Sequence, residues 1–141
     1  SFKRYKKSSY SIFQLVLEKE IHHRGLTHNC YLFGFKKNPY SFMEASNIFL
    51  LCARNEGFGN VLIEAMHADL DIIAHDDSSG PSEALKNGEF GKLIDNLNPH
   101  SFVSEIKTII DNKGPKNTNR QEYLKRFDTN EVTEAYIEAI S

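Results

Sequence analysis

Four short runs that consist mainly of apolar residues set the strongest limit on how this chain of 141 residues can fold. Each run has the length of a β-strand, and segments with helical periodicity or helix-start residues lie between them. The runs are Cys30–Phe33, Ile48–Cys52, Asp71–Ala74 and Phe90–Ile94. Because strands of continuous apolar sequence are buried on both faces, this alternation predicts an α/β fold with a parallel sheet and helices on both sides.

The intervening segments predict the helices. Apolar residues from Ile12 to Ile21 recur at steps of three and four, which predicts an amphipathic helix over 11–24 with Gly25 at its carboxyl end. Pro39 opens a short helix, and Pro81 is expected at the first position of another. Further helices are predicted over 61–66, 99–112, 118–126 and 129–140.

Composition predicts a soluble, cytoplasmic protein. The formal net charge of −2 argues against a dedicated nucleic-acid-binding protein, which normally has a basic face. No apolar run approaches the roughly 20 residues that a membrane span needs. No signal peptide is predicted, because no apolar stretch directly follows the basic residues at the amino end. Cys30 and Cys52 lack metal-ligand spacing and are expected to be buried thiols. The basic cluster Lys3–Lys7 leaves contact with an anionic membrane surface as an alternative.

Two glutamates frame the segment with the clearest chemistry. Glu56 follows the predicted strand that ends at Cys52, and Glu64 lies one to two turns into the next helix. Since parallel sheets bind ligands at the carboxyl ends of their strands, both carboxylates are expected to face one crevice. Gly57 and Gly59 would let the backbone turn tightly and approach a ligand. Carboxylates accept hydrogen bonds from neighbouring hydroxyl groups, which a sugar and a ribose both offer.

The start of that helix predicts an anion site. The first amide groups, on Asn60, Val61 and Leu62, have no acceptor within the helix and suit a phosphate oxygen. A diphosphate bound there, with a carboxylate on either side, would hold a sugar nucleotide. From the spacing alone, the alternative that Glu56 and Glu64 are solvated residues flanking a helix stays open.

The segment Glu56–Met66 resembles the E-x7-E signature of retaining glycosyltransferase family 4, whose members have the GT-B fold. Further segments resemble other motifs of that family in the same order. They are Tyr31–Phe35, Asn38–Leu50, Ser79–Leu85, Gly88–Leu93 and Arg126–Tyr136. The resemblance implies that residues 1–141 are a partial, Rossmann-like carboxyl-terminal domain, without the first strands of that domain and without the amino-terminal acceptor domain.

The resemblance also implies roles for individual residues. Glu56 matches the catalytic residue expected to hydrogen-bond the donor sugar, and Glu64 matches the residue expected to bind the ribose hydroxyls. Gly34 and Phe35 match positions that cradle the nucleotide base. The backbone around the helix start would face the diphosphate and the sugar, through Gly57, Phe58, Gly59, Asn60, Val61 and Leu62.

The implied function is transfer of a hexose or N-acetylhexosamine from a nucleotide-sugar donor, UDP-linked by the likeness of Ser79–Glu83 to surface-glycan enzymes. The acceptor would be a glycan or a lipid-linked glycan, and the full-length enzyme could contact the inner face of the membrane. No cofactor and no metal ion are expected. The alternative is a non-catalytic remnant that binds a nucleotide sugar weakly or not at all.

Two pairs of aspartates are expected to have structural roles only. Asp69 and Asp71 stand where the family has a turn glycine and a proline, and Asp69-Leu70-Asp71 is interpreted as a turn, not as a metal-binding D-x-D motif. Asp76 and Asp77 are expected to lie in a solvated loop.

Overall fold

Helices and strands alternate along the chain as the apolar runs predict. The computed structural model describes residues 12–54, 57, 59–76, 79–112 and 119–128. The helices are α1 (Ile12–His23), α2 (Tyr40–Glu44), α3 (Asn60–His67), α4 (Ser79–Ala84), α5 (Pro99–Asp111) and α6 (Arg120–Lys125). The strands are β1 (Ile48–Leu51), β2 (Asp71–His75) and β3 (Lys92–Ile94). The helix predicted over 129–140 lies outside the described residues.

The three strands form one parallel sheet in the order β1-β2-β3. Phe49 of β1 lies opposite Ile72 of β2, and Ala74 of β2 lies opposite Leu93 of β3. The central strand is therefore β2. Because all three strands run in the same direction, their carboxyl ends meet at one edge of the sheet, where ligands bind in folds of this kind.

Side chains of β2 alternate between two hydrophobic cores. Ile72 and Ala74 pack in the larger core, and Ile73 packs in the smaller core with Phe102 of α5. The larger core also contains side chains of four helices: Met43 of α2, Leu62 and Met66 of α3, Ala84 of α4, and Tyr123 and Leu124 of α6. Since successive residues of a strand face opposite sides, α3, α4 and α6 cover one face and α5 covers the other. The predicted sheet with helices on both faces is confirmed.

Contacts divide the chain into two compact units, residues 1–37 and residues 38–141. The first unit contains α1, whose predicted span and carboxyl end are confirmed. Gly25 has φ +67°, and the amides of Gly25 and Leu26 donate to the carbonyls of His22 and Ile21 at 3.0 and 2.9 Å. This is the Schellman arrangement, which a glycine favours. No residue of α1 is buried, so its apolar face is exposed.

The apolar run Cys30–Phe33 does not form the predicted strand. It has no strand pairing, and its side chains are exposed. The run belongs to the first unit, whereas the three strands belong to the second. Because a strand is stable only where a neighbour completes its hydrogen bonds, apolar sequence alone does not make one. Both thiols expected to be buried are exposed, since Cys30 begins this run and Cys52 follows the last residue of β1.

Two predicted boundaries also shift. The helix α4 begins at Ser79, before Pro81, which the first turn of a helix tolerates because its amides have no helical acceptor. The strand β3 begins only at Lys92, after Phe90, which is buried in the larger core from the preceding turn.

The turn from α3 to β2 uses an aspartate in left-handed conformation. Asp69 has φ +56°, and its amide and that of Leu70 donate to the carbonyls of Met66 and Ala65 at 3.1 and 3.0 Å. The Asp69 carboxylate lies 3.6 Å from the Arg120 guanidinium. Aspartate adopts this conformation at a modest cost, and the Arg120 contact gives its carboxylate a partner. The turn predicted at this position is confirmed.

Gly91 stands where an added side chain would be crowded. A Cβ atom there would lie 3.0 Å from Cδ1 of Leu85 and 3.1 Å from both Cβ and the carbonyl oxygen of Ile72. The Ile72 atoms belong to the backbone region of the central strand and cannot give way without moving it. We expect Gly91→Ala to lower the free energy of unfolding by about 2 kcal/mol, measured by urea denaturation.

The matched control for this substitution is Gly57→Ala. A Cβ atom on Gly57 meets nothing within 4 Å, so the expected change is within about 0.5 kcal/mol. Equal losses in the two variants would contradict the steric explanation, because only Gly91 faces the central strand.

Candidate functional site

The connection between β1 and α3 lies at the carboxyl edge of the sheet. The strand ends at Leu51, the helix begins at Asn60, and the chain returns to start β2 at Asp71. In a parallel sheet, the helix that follows a strand begins at the carboxyl edge, so the amino end of α3 lies there. Glu56 and Phe58 lie outside the described residues, and their roles stay predictions.

Gly59 sets the direction in which α3 starts. It is buried, directly precedes the helix and has φ +77° and ψ +52°, a left-handed conformation that costs other residues roughly 1–2 kcal/mol. The Leu62 amide donates to the Gly59 carbonyl at 2.7 Å. The predicted anion site therefore reduces to the amides of Asn60 and Val61, for which the helix itself supplies no acceptor. Glycine has no side chain, so the residue before the helix does not cap these two amides.

The two faces of α3 have different surroundings. Leu62, Ile63, Ala65 and Met66 are buried against the larger core, with Leu62 fully so. The Leu62 side chain is thus a packing group, and any donor contact from this residue would come from its backbone. Asn60 and Glu64 are both exposed, four residues apart on one side of the helix. Because the buried face of α3 is packed against the core, the position of Glu64 on the exposed face is fixed.

The Glu64 side chain has the access that a ligand contact requires. It is exposed, and it makes no hydrogen bond or ion pair with any residue that the structure describes. Its carboxylate oxygens therefore keep their capacity to accept hydrogen bonds from outside the chain. Gly57 is also exposed on the connection leading to α3.

Gly34 and Phe35 belong to the first unit. Gly34 has φ +62°, with nothing within 4 Å of a hypothetical Cβ atom, and the Phe35 ring is 95% exposed. A positive φ at Gly34 agrees with the turn expected after the apolar run. Their contact with a nucleotide base stays a prediction.

Two residues at the end of β2, His75 and Asp76, lie at this edge, although the sequence assigned neither of them a role in the site. His75 is buried, and its Nδ1 lies 3.1 Å from the carbonyl oxygen of Ala53, just beyond β1. Asp76 is half-buried and accepts hydrogen bonds from both the amide (3.2 Å) and the hydroxyl of Ser82 in α4. Asp76 lies in a loop as predicted, but the prediction that it is solvated is wrong, since its half-buried carboxylate caps the first turn of α4. Asp77 lies outside the described residues.

One sequence signal could have identified Asp76. Asp76 directly follows a strand, and a serine lies a few residues later in the first turn of the next helix. In this pattern, the acidic side chain can accept hydrogen bonds from the first helical amides, which have no acceptor within the helix. No comparable local signal exists for His75, because its partner Ala53 lies 22 residues away in the sequence.

The thiol at this edge is not set up as a nucleophile. Although Cys52 is exposed, partial desolvation raises the pKa of its thiol, which leaves it protonated at neutral pH. A protonated thiol is a weak nucleophile and a poor metal ligand. In the described ranges, no group of three or more His, Cys, Asp and Glu residues is placed to hold a metal ion, and the expectation of a metal-free donor site stays a prediction.

The part of the chain that the structure describes contains no helix with both the length and the apolar character needed to cross a membrane.

Comparison with known proteins gives a family match over most of the chain. Residues 14–127 match the family model of glycosyl transferases group 1. From Campylobacter jejuni, the N-acetylgalactosamine-N,N'-diacetylbacillosaminyl-diphospho-undecaprenol 4-alpha-N-acetylgalactosaminyltransferase is 34% identical over 97 residues, which cover 69% of this chain and 26% of that protein.

Two Staphylococcus aureus proteins are also similar. The poly(ribitol-phosphate) alpha-N-acetylglucosaminyltransferase is 25% identical over 127 residues, or 86% of this chain and 25% of that protein. The capsular polysaccharide biosynthesis glycosyltransferase CapM is 27% identical over 100 residues, or 71% of this chain and 26% of that protein. The chain spans about a quarter of the length of these curated relatives.

Proposed function

We propose that this chain, which belongs to the glycosyl transferases group 1 family, is the donor-binding part of a retaining GT-B glycosyltransferase. In this proposal, residues 1–141 form a partial carboxyl-terminal domain that binds a nucleotide sugar. The enzyme transfers the sugar to a glycan or lipid-linked acceptor.

One observation supports this proposal most directly. An exposed carboxylate, Glu64, lies one turn beyond the open amides of Asn60 and Val61, on a helix whose opposite face is buried. The rise along four helical residues is about 6 Å. A nucleoside diphosphate presents its phosphates and its ribose hydroxyls on that scale. The amides would meet the diphosphate oxygens, and the carboxylate would accept hydrogen bonds from the ribose.

The proposed chemistry concerns the leaving group of the reaction, which is the nucleoside diphosphate. As the bond between the sugar and the diphosphate breaks, negative charge grows on the diphosphate. Amide donors fixed at the start of α3 stabilise that charge without rearranging, because the buried face of the helix holds them in place. Glu56 is proposed to hydrogen-bond the donor sugar and to place its anomeric carbon.

The relatives support a choice of donor and acceptor. Two of them are named as an N-acetylgalactosaminyltransferase and an N-acetylglucosaminyltransferase. The proposed donor is therefore a UDP-linked N-acetylhexosamine. Their names also mention diphospho-undecaprenol and poly(ribitol-phosphate), which supports a surface polymer or its lipid-linked precursor as the acceptor. Presentation of that acceptor at the inner face of the membrane is part of the proposal.

Titration calorimetry with UDP-N-acetylglucosamine, UDP and GDP tests the donor site. We expect the two uridine nucleotides to bind the chain and GDP to bind more weakly. If none of the three nucleotides binds, the donor-site proposal fails for this chain. Nucleotide binding without sugar transfer to any added lipid-linked acceptor would favour a binding function over turnover by this chain alone.

Removal of metal ions tests the proposed metal independence. The diphosphate charge is proposed to be met by backbone amides, so excess EDTA is expected to change the UDP dissociation constant by less than about twofold. The measurement is the same titration before and after chelation. A loss of binding that magnesium or manganese restores would contradict this part of the proposal.

A further inference from the structure

Two consecutive residues at the carboxyl end of β2 contact the connections on either side of it. His75 contacts Ala53 on the connection from β1 to α3, and Asp76 contacts Ser82 in α4. The Asp76 amide also donates to the carbonyl of Ile94 at 2.9 Å, which continues the pairing with β3. The end of the central strand is thus tied to both neighbouring strand ends.

The His75 contact has a defined polarity. A carbonyl oxygen only accepts hydrogen bonds, so Nδ1 must carry a hydrogen and donate it to Ala53. The ring is only 6% exposed, which restricts it to few orientations. The bond is therefore made by a group that is itself held in place, and it restrains the Ala53 carbonyl just after β1.

The connection from β1 to α3 is consequently fixed near both ends. Ala53 is held by His75 at its start, and Gly59 is held at its end by the Leu62 amide and by the buried first turn of α3. Gly57, a proposed donor-binding residue, lies between these points. A backbone segment whose ends are restrained loses less entropy when a ligand binds, and the ligand then binds more tightly.

We propose that His75 is a positioning residue for donor binding, which holds the β1–α3 connection through its hydrogen bond to Ala53. This inference rests on the proposed function, because it assigns His75 a role in the same site. The imidazole does not touch the donor. It sets the course of the backbone that does.

Three substitutions separate hydrogen bonding from packing. In His75→Asn, the side-chain amide nitrogen can take the place of Nδ1. His75→Gln places its amide further out, near the position of Nε2, and His75→Leu has no donor. Donor affinity is measured by calorimetric titration of the full chain with UDP-N-acetylglucosamine. We expect the leucine and glutamine variants to bind about tenfold more weakly, and the asparagine variant to bind within about twofold of the original chain.

Tyr123→Phe is the matched control. It removes a side-chain hydrogen bond of similar length, 2.8 Å, to the backbone carbonyl of Glu83. We expect this variant to bind the donor with unchanged affinity, because a loss of fold stability alone does not move the affinity of the folded fraction. A tenfold loss in Tyr123→Phe as well would overturn the specific role of His75.

Hydrogen exchange at the amides of Gly57 and Gly59 measures the positioning without a ligand. Exchange is expected to be faster in the leucine and glutamine variants, and unchanged in His75→Asn. If the original chain binds no nucleotide, the proposed function fails while exchange still tests the positioning. Equal exchange in all variants, or equal donor affinity in all variants of a chain that binds, overturns the inference. If the leucine variant does not fold, the comparison of asparagine with glutamine decides.

Discussion

Replacing Arg120 with methionine is expected to lower the free energy of unfolding by about 4 kcal/mol, the largest effect expected of any single substitution discussed. The guanidinium is 6% exposed and donates to the carbonyl oxygens of Leu70 at 2.8 Å and Phe90 at 3.0 Å. Leu70 precedes β2 and Phe90 precedes β3, so one side chain on α6 joins the starts of two strands. Methionine would fill the space and leave both buried carbonyls without these donors.

Because Arg120 is charged and buried, the loss in free energy of unfolding depends on which residue replaces it. Burial lowers the pKa of this guanidinium, and the nearby carboxylates of Asp69 and Asp71 oppose that change. The Nε atom is buried with no hydrogen-bond partner among the described residues. Arg120→Lys is expected to recover only part of the loss, about half, because one ammonium group does not match the fork that reaches both carbonyls.

Urea denaturation followed by circular dichroism measures these losses. The matched control is Arg126→Met, which removes an exposed guanidinium lying 5.3 Å from the centre of the Tyr123 ring. An exposed contact of this kind is worth about 0.5 kcal/mol. A loss in Arg120→Met no larger than in Arg126→Met would show that the two strand starts do not depend on Arg120.

The sheet was predictable because its signal is local. Each strand that formed lies in a short run of mainly apolar residues, and the alternating burial of Ile72, Ile73 and Ala74 needs only the two-residue period of a strand. The left-handed turn at Asp69 was predictable for the same reason, because aspartate is among the few residues that tolerate it. The run at 30–33 shows the limit of this reasoning. It has the same local signal, but a strand also needs a partner.

The contacts that fix the connections were not predictable, because they join distant parts of the sequence. Arg120 bonds to a carbonyl 50 residues away, and His75 bonds to one 22 residues away. Nothing in the sequence distinguishes these two buried side chains from arginines and histidines that are exposed. The candidate site divides in the same way. Its helix start and the exposure of Glu64 follow from the pattern at 57–66, whereas the residues that hold the preceding connection follow only from the fold.

Replacing Glu64 with alanine is expected to weaken UDP binding about 100-fold, with the fold unchanged. A carboxylate that accepts two ribose hydrogen bonds contributes through both, and about 2.7 kcal/mol corresponds to that factor. Because Glu64 is exposed on a helix and alanine favours helices, the free energy of unfolding should change by less than about 0.5 kcal/mol. Calorimetric titration with UDP measures the loss. Glu122→Ala, which removes another exposed helical carboxylate in α6, is the control and should leave binding unchanged.

A double-mutant cycle with 2′,3′-dideoxy-UDP identifies the group that Glu64 contacts. The original chain is expected to bind this analogue about 100-fold more weakly than UDP, because the ribose hydroxyls are gone. The alanine variant should bind both nucleotides equally, since the partner on the protein is already absent. If Glu64→Ala weakened the binding of UDP and its dideoxy analogue by the same factor, Glu64 would act on another part of the donor. The exposed carboxylate would then have to be reassigned to the diphosphate or the uracil base, and repulsion from phosphate makes the base the better physical choice.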